Sequence, residues 1–172
     1  MMQYITWWLT FLVLLIAALT DLHSRRIPNL LVAPFLAAGL VAGGVTGGWE
    51  GVTRSLAGIG LGAAAAAFLC YLRGMGLGDL KLLAAVGAWI GPAQMVSALV
   101  MTAIAGGFLA LAYAIRHRSL GRCLDSTADL LAEFPINGIR PHRTAVLGNP
   151  EAIHLPYAVA IAIGTMFSFY AV

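Results

Sequence analysis

Apolar residues arrive along this chain in long blocks, interrupted by glycine, proline and a few charges. Stretches such as LVLLIAAL and GAAAAAFL are apolar all round. That pattern excludes membrane-barrel strands, which alternate apolar and polar residues. Roughly 20 mainly apolar residues cross about 30 Å of hydrocarbon as a helix. The blocks accordingly predict six helices, at about 3–20, 29–47, 52–72, 79–91, 93–115 and 154–171. Pro28 precedes the second and suits a helix start, and the fourth stops before Pro92. Trp7 and Trp8, near the start of the first, suit an interfacial belt. Gly58 and Gly62 in the third let a neighbouring backbone come close. The fourth helix is short, reaching only about 20 Å at about 1.5 Å per residue. Either the bilayer thins around it, or it starts below the surface and the preceding glycine-rich loop dips in to meet it.

Composition strengthens the membrane reading. The 172 residues are 60% hydrophobic and only 10% charged, with a mean hydropathy of +0.89. A soluble domain carries about a quarter charged residues, and this chain in water would expose large apolar patches. The expected fold is all-α: one polytopic helical bundle over 1–172 with about six transmembrane helices. No Lys or Arg precedes the first apolar run, so that run is expected to be a retained span and not a cleaved signal peptide. Six spans place nine of the 10 basic residues on or beside one set of loops: Arg25, Arg26, Arg73, Lys81, Arg116, Arg118, Arg122, Arg140 and Arg143, with Arg54 opposite. Basic loops face the cytoplasm, so both termini are expected outside, and 116–153 forms a long cytoplasmic loop. Within it LDSTADLLAEF (124–134) could form an amphipathic surface helix. Cys70 and Cys123 make no CxxC and no disulfide framework, and read as two unpaired thiols.

Two acids then change the picture. Asp21 ends the first helix and Asp79 begins the fourth, both on the predicted cytoplasmic margin. An ionised carboxylate in hydrocarbon needs a partner or a function. Asp79 stands in GMGLGDLKLL (74–83), behind Gly74, Gly76 and Gly78. Glycine accepts backbone angles closed to other residues and leaves space for an extended peptide to lie against the chain. If Asp21 lies within reach, the two acids share one proton, as in the aspartic-protease dyad. One then takes a proton from water while the other donates to a carbonyl oxygen. The plainer readings are that Asp21 flanks its helix, that Asp79 is an N-cap and that Arg25 and Arg26 only set topology. Lys81 snorkels to the surface, holds Asp79 electrostatically, or meets the substrate backbone. His23 and His142 lack ligand spacing with the acids, so no metal and no cofactor are expected. A small proton-coupled transporter is the competing function. Against it, the acids lie at one face instead of mid-span and no inverted repeat is present.

These motifs resemble the type IV prepilin peptidases, membrane aspartyl proteases of the GxGD type. Asp21 with Arg25-Arg26-Ile27-Pro28-Asn29 resembles the family's D-x-x-x-x-x-I-P-N motif, and Gly76-Leu77-Gly78-Asp79-Leu80-Lys81 resembles G-x-G-D-x-K. Leu155-Pro156-Tyr157 resembles a weaker C-terminal pattern. The resemblance implies that Asp21 and Asp79 are catalytic, with Gly76, Gly78 and Lys81 at the substrate. It implies an enzyme of the bacterial inner membrane, with its site on the cytoplasmic face, that cuts basic leaders from prepilins or pseudopilins just before their hydrophobic helix. Its partners would be those substrates and the bilayer, with no nucleic acid. Larger members also N-methylate the new terminus and carry an added segment between the first two helices. That segment is missing here, so methyl transfer is not expected. The short form resembles the peptidases of Flp/Tad pilus systems, with archaeal preflagellin peptidases as the second possibility.

Overall fold

The computed structural model of the chain describes residues 2–24, 27–71, 75–116 and 157–170. Every regular element among them is helical: α1 Met2–Ser24, α2 Asn29–Tyr71, α3 Leu77–Arg116 and α4 Tyr157–Ser168. Pro28 starts α2 as the sequence predicts. Its carbonyl accepts the Leu31 and Val32 N–H groups at 3.0 and 3.4 Å, which closes the first turn.

Both long helices break at one glycine. Gly48 (φ 56, ψ −136) divides α2 and Gly91 (φ 75, ψ 176) divides α3. Both have the positive φ that glycine adopts without steric cost. The chain doubles back at each. A Cβ on Gly51 would collide with the Gly43 carbonyl, although a straight helix would hold those residues about 12 Å apart. A Cβ on Gly62 would lie 2.6 Å from the Leu83 carbonyl oxygen and 2.8 Å from Met95 Cε. No straight helix brings those two atoms to one point. Pro92 follows the second break and opens the next arm, where its missing N–H costs nothing. Arg54 closes the arm before it, donating from Nη2 to the Ile90 carbonyl at 3.4 Å. A cationic side chain at a helix C-terminus suits both the free carbonyl and the dipole.

The first arm of α3, 77–90, is the centre of the molecule. Residues 82–88 are all buried, so this arm is covered on every side. Its closest neighbour is the second arm of α2. Gly58 and Gly87 face each other, and a Cβ on either would strike the other's carbonyl oxygen. The first arm of α2 covers another side, where Phe35 stacks on Trp89 at 5.3 Å and its carbonyl accepts the Trp89 indole N–H at 2.8 Å. α4 packs on α3 through Gly164, whose Cα lies against the Thr102 backbone. Trp7, near the start of α1, meets Phe169 beyond the end of α4 edge-on at 6.5 Å. These two helices therefore run antiparallel.

Three helices are long and apolar enough to cross a membrane, at Thr6–Ser24, Asn29–Tyr71 and Leu77–Tyr113; Tyr157–Ser168 is shorter. This makes the chain a helical membrane protein. It also corrects the expected division into about six separate helices, since the described residues form three long ones and one short one. The predicted gaps at 48–52 and 91–93 shrink to single glycines, because no polar run separates the arms. The last helix is described over 12 residues, fewer than the predicted 154–171. The loop 116–153 beyond Arg116, its 124–134 segment, Arg25, Arg26, Arg73, Gly74, Cys123, His142, Leu155 and Pro156 lie outside the described residues.

The Gly58–Gly87 contact makes a stability prediction. Gly58→Ala forces a methyl against the Gly87 carbonyl and costs about 2 kcal/mol, as overpacking does. Gly60→Ala, inside the same helix with nothing within 4 Å of its added carbon, does not lower stability and raises it by up to about 1 kcal/mol. Thermal unfolding of the purified variants in detergent separates the two.

Candidate active site

Four helix ends meet around Asp79. α3 begins at Leu77, so Asp79 lies in its first turn. Gly76 is the cap: its carbonyl accepts the Leu80 N–H at 3.3 Å, and its own N–H donates to the Asp79 carboxylate. The carboxylate at the third helical position thus reaches back to the cap N–H, which is one half of a capping box. Asp79 is only 8% exposed, and its Oδ1 is buried with no hydrogen-bond partner among the described residues. Met75, 4% exposed, ties the approach to α3 into the core.

Asp21 occupies the last turns of α1 and is half-buried. Its Oδ2 accepts the Ala158 N–H at 3.4 Å, from the first turn of α4. The charge of Asp21 acts on Asp79, so the fold brings together the two acids that the sequence set far apart. Tyr157, the first residue of α4, and Cys70, at the end of α2, both lie within reach of the Asp79 charge. The half-buried Cys70 thiol donates to the Gly76 carbonyl at 3.5 Å. Each acid therefore sits at a helix N-terminus, Asp79 at that of α3 and Asp21 at that of α4. Helix dipoles favour negative charge at those positions.

The glycines act through space and not through unusual angles. Among the described residues the positive-φ glycines are Gly48 and Gly91, so Gly76 and Gly78 do not use the freedom expected of them. A Cβ on Gly78 would stand 3.4 Å from Ile27 Cβ, and one on Gly76 would stand 3.4 Å from Asp79 Oδ2. The missing side chain of Gly78 lets Ile27, before α2, pack on α3, and that of Gly76 leaves room beside Asp79 Oδ2. Lys81 is exposed and donates from Nζ to Asn29 Oδ1 at 3.0 Å. Of its three expected roles the fold favours the outward one, a brace between the first turns of α3 and α2. His23 is exposed at the end of α1.

The α4 contact on Asp21 escaped the sequence reading. Leu155-Pro156-Tyr157 marked the place, but no residue pattern announces a backbone N–H as a partner. Chemically, the site offers two mutually acting carboxylates, each with an amide donor, and one carboxylate oxygen left free. Such a pair can hold a water molecule and divide base and acid roles.

The sequence model of the type IV leader peptidase family matches residues 8–111, which include both acids. A prepilin leader peptidase/N-methyltransferase of Aeromonas hydrophila is 34% identical over 105 residues, covering 58% of this chain and 36% of that protein. The chain thus spans about a third of the length of this curated relative. No solved structure matches it.

A buried carboxylate oxygen without a donor, within reach of a second negative charge, costs stability that a neutral isostere recovers. Asp79→Asn keeps an acceptor for the Gly76 N–H and removes the repulsion. It is expected to raise stability by about 1 kcal/mol, read as a higher melting temperature at neutral pH in detergent.

Proposed function

The chain belongs to the type IV leader peptidase family, and we propose that it is an aspartic endopeptidase that removes the leader from prepilin-like proteins. The observation that carries this reading is the charge of Asp21 acting on the buried carboxyl of Asp79. Asp21 and Asp79 are the catalytic pair. One carboxylate takes a proton from water as its oxygen attacks the scissile carbonyl carbon. The other gives its proton to the carbonyl oxygen. The tetrahedral product collapses with breakage of the C–N bond, and the leaving nitrogen takes up a proton from the pair. No covalent enzyme intermediate is needed.

Gly76 and Gly78 clear the approach for an extended peptide, and Lys81, braced on Asn29, borders it. The substrate is a prepilin or pseudopilin with a basic leader followed by a hydrophobic helix, presented from the bilayer. Its bond is cut at the cytoplasmic face of the inner membrane. That sidedness, with both termini outside, rests on the positive-inside reading of the sequence. Each arm of α2 and α3 makes its own crossing in this reading, giving six with α1 and α4. The doubling-back at Gly48 and Gly91 supports it. The short connection between α1 and α2 supports peptidase activity without N-methyl transfer, in the manner of Flp/Tad pilus peptidases.

Incubation of the purified chain with candidate prepilins, followed by mass measurement of the products, tests all of this. Cleavage at one bond before the hydrophobic segment is expected, with no methyl group added to the new terminus. Asp21→Asn and Asp79→Asn each lower the rate by at least about a thousandfold, within the range of lost general acid–base catalysis. Normal processing by either variant refutes the pair. Loss of proton-dependent uptake in its place would identify a transporter.

A further inference from the structure

The peptidase reading assigns the chemistry to groups on α1 and α3 and leaves the amino end of α4 without a part. Yet the first turn of α4 bonds one acid and lies within electrostatic reach of the other. Its Ala158 N–H holds Asp21 Oδ2 at 3.4 Å. The preceding side chain, Tyr157, is half-buried against the core and within reach of the Asp79 charge. The Tyr157 hydroxyl can donate one hydrogen bond. Asp79 Oδ1 is a buried acceptor with no partner among the described residues. A buried acceptor favours any donor within reach. Catalytic hydrogen bonds that are loose in a free enzyme commonly tighten when substrate closes the site.

Building on the peptidase reading, we propose that Tyr157 is a positioning residue for the acid pair, its hydroxyl donating to the free Oδ1 of Asp79 while the Ala158 N–H holds Asp21. α4 then fixes both carboxylates at once. One residue donates through its side chain and the next through its backbone, so rotation of either acid away from the other breaks a bond to the same helix end. Tyr157 transfers no proton in this arrangement. It fixes the direction in which the remaining carboxylate oxygens face the water.

Two measurements on the full chain in detergent test this. Tyr157→Phe keeps the ring in its packing and removes only the hydroxyl. It should lower kcat for prepilin cleavage about tenfold, the effect of one positioning hydrogen bond, with KM unchanged. A double-mutant cycle on melting temperature, using Tyr157→Phe, Asp79→Ala and the pair together, isolates the contact without any substrate. The Tyr157→Phe shift seen with Asp79 present should vanish in the Asp79→Ala background. Wild-type kcat in Tyr157→Phe, or equal shifts in both backgrounds, overturns the proposal. A wild-type chain that cuts no prepilin refutes the peptidase reading instead, and the cycle alone then decides whether Tyr157 holds Asp79.

Discussion

Two helix backbones touch at Gly58 and Gly87, and the rest of the molecule is arranged around that approach. Between helices in lipid there is no hydrophobic drive, because the acyl chains are as apolar as leucine. Association depends on dispersion, which requires close contact. Glycine on both sides supplies it. The result is a central arm, 77–90, enclosed by its neighbours through residues 82–88. A helix of about 21 Å exposed to lipid would be mismatched to the hydrocarbon thickness. Enclosed by other helices, it has no such match to make. Its amino end can stop within the protein's own cover, and that end carries Asp79.

A carboxylate in such a place needs donors, and the fold supplies them from backbone. Asp79 takes the Gly76 N–H and Asp21 takes the Ala158 N–H. Both amides belong to first turns of helices, where such groups lack an intrahelical partner. One arrangement therefore answers two needs, the helix ends and the acids. The arrangement stays incomplete at Asp79 Oδ1. The hydroxyls of Thr10, Thr102 and Thr165 are also buried without a partner among the described residues, but of these four groups Asp79 alone can carry a negative charge.

The parts of the fold legible in the sequence are those set by local residue chemistry. Pro28 marked a helix start and Pro92 a helix end, and the apolar blocks marked the arms to within a few residues. The two acids could be paired because their motifs are local and the alternation of helices brings their ends to one side. Other features depended on partners distant in the chain. Arg54 looked like an exception in the charge sorting, and it caps the arm ending at Ile90. Lys81 had three open roles in the sequence, and its amine reaches Asn29. The motif glycines promised unusual backbone angles, but the positive φ values belong to Gly48 and Gly91. A glycine's identity does not reveal whether its angles or its empty volume are being used; only the neighbours decide that.

The choice of amide donors over cations bears on what the pair can do. Among the described residues neither acid is bonded to a basic side chain, and Lys81, two residues from Asp79, is turned to Asn29. A guanidinium or ammonium bridging both carboxylates would occupy their oxygens and hold both in the ionised form. Two bases would then stand where one base and one acid are needed. Backbone N–H groups orient a carboxylate without adding a full charge, so the repulsion between Asp21 and Asp79 is left for a proton to relieve. On the proposed peptidase reading, orientation by neutral donors is thus the feature that lets two identical side chains take opposite parts in one reaction.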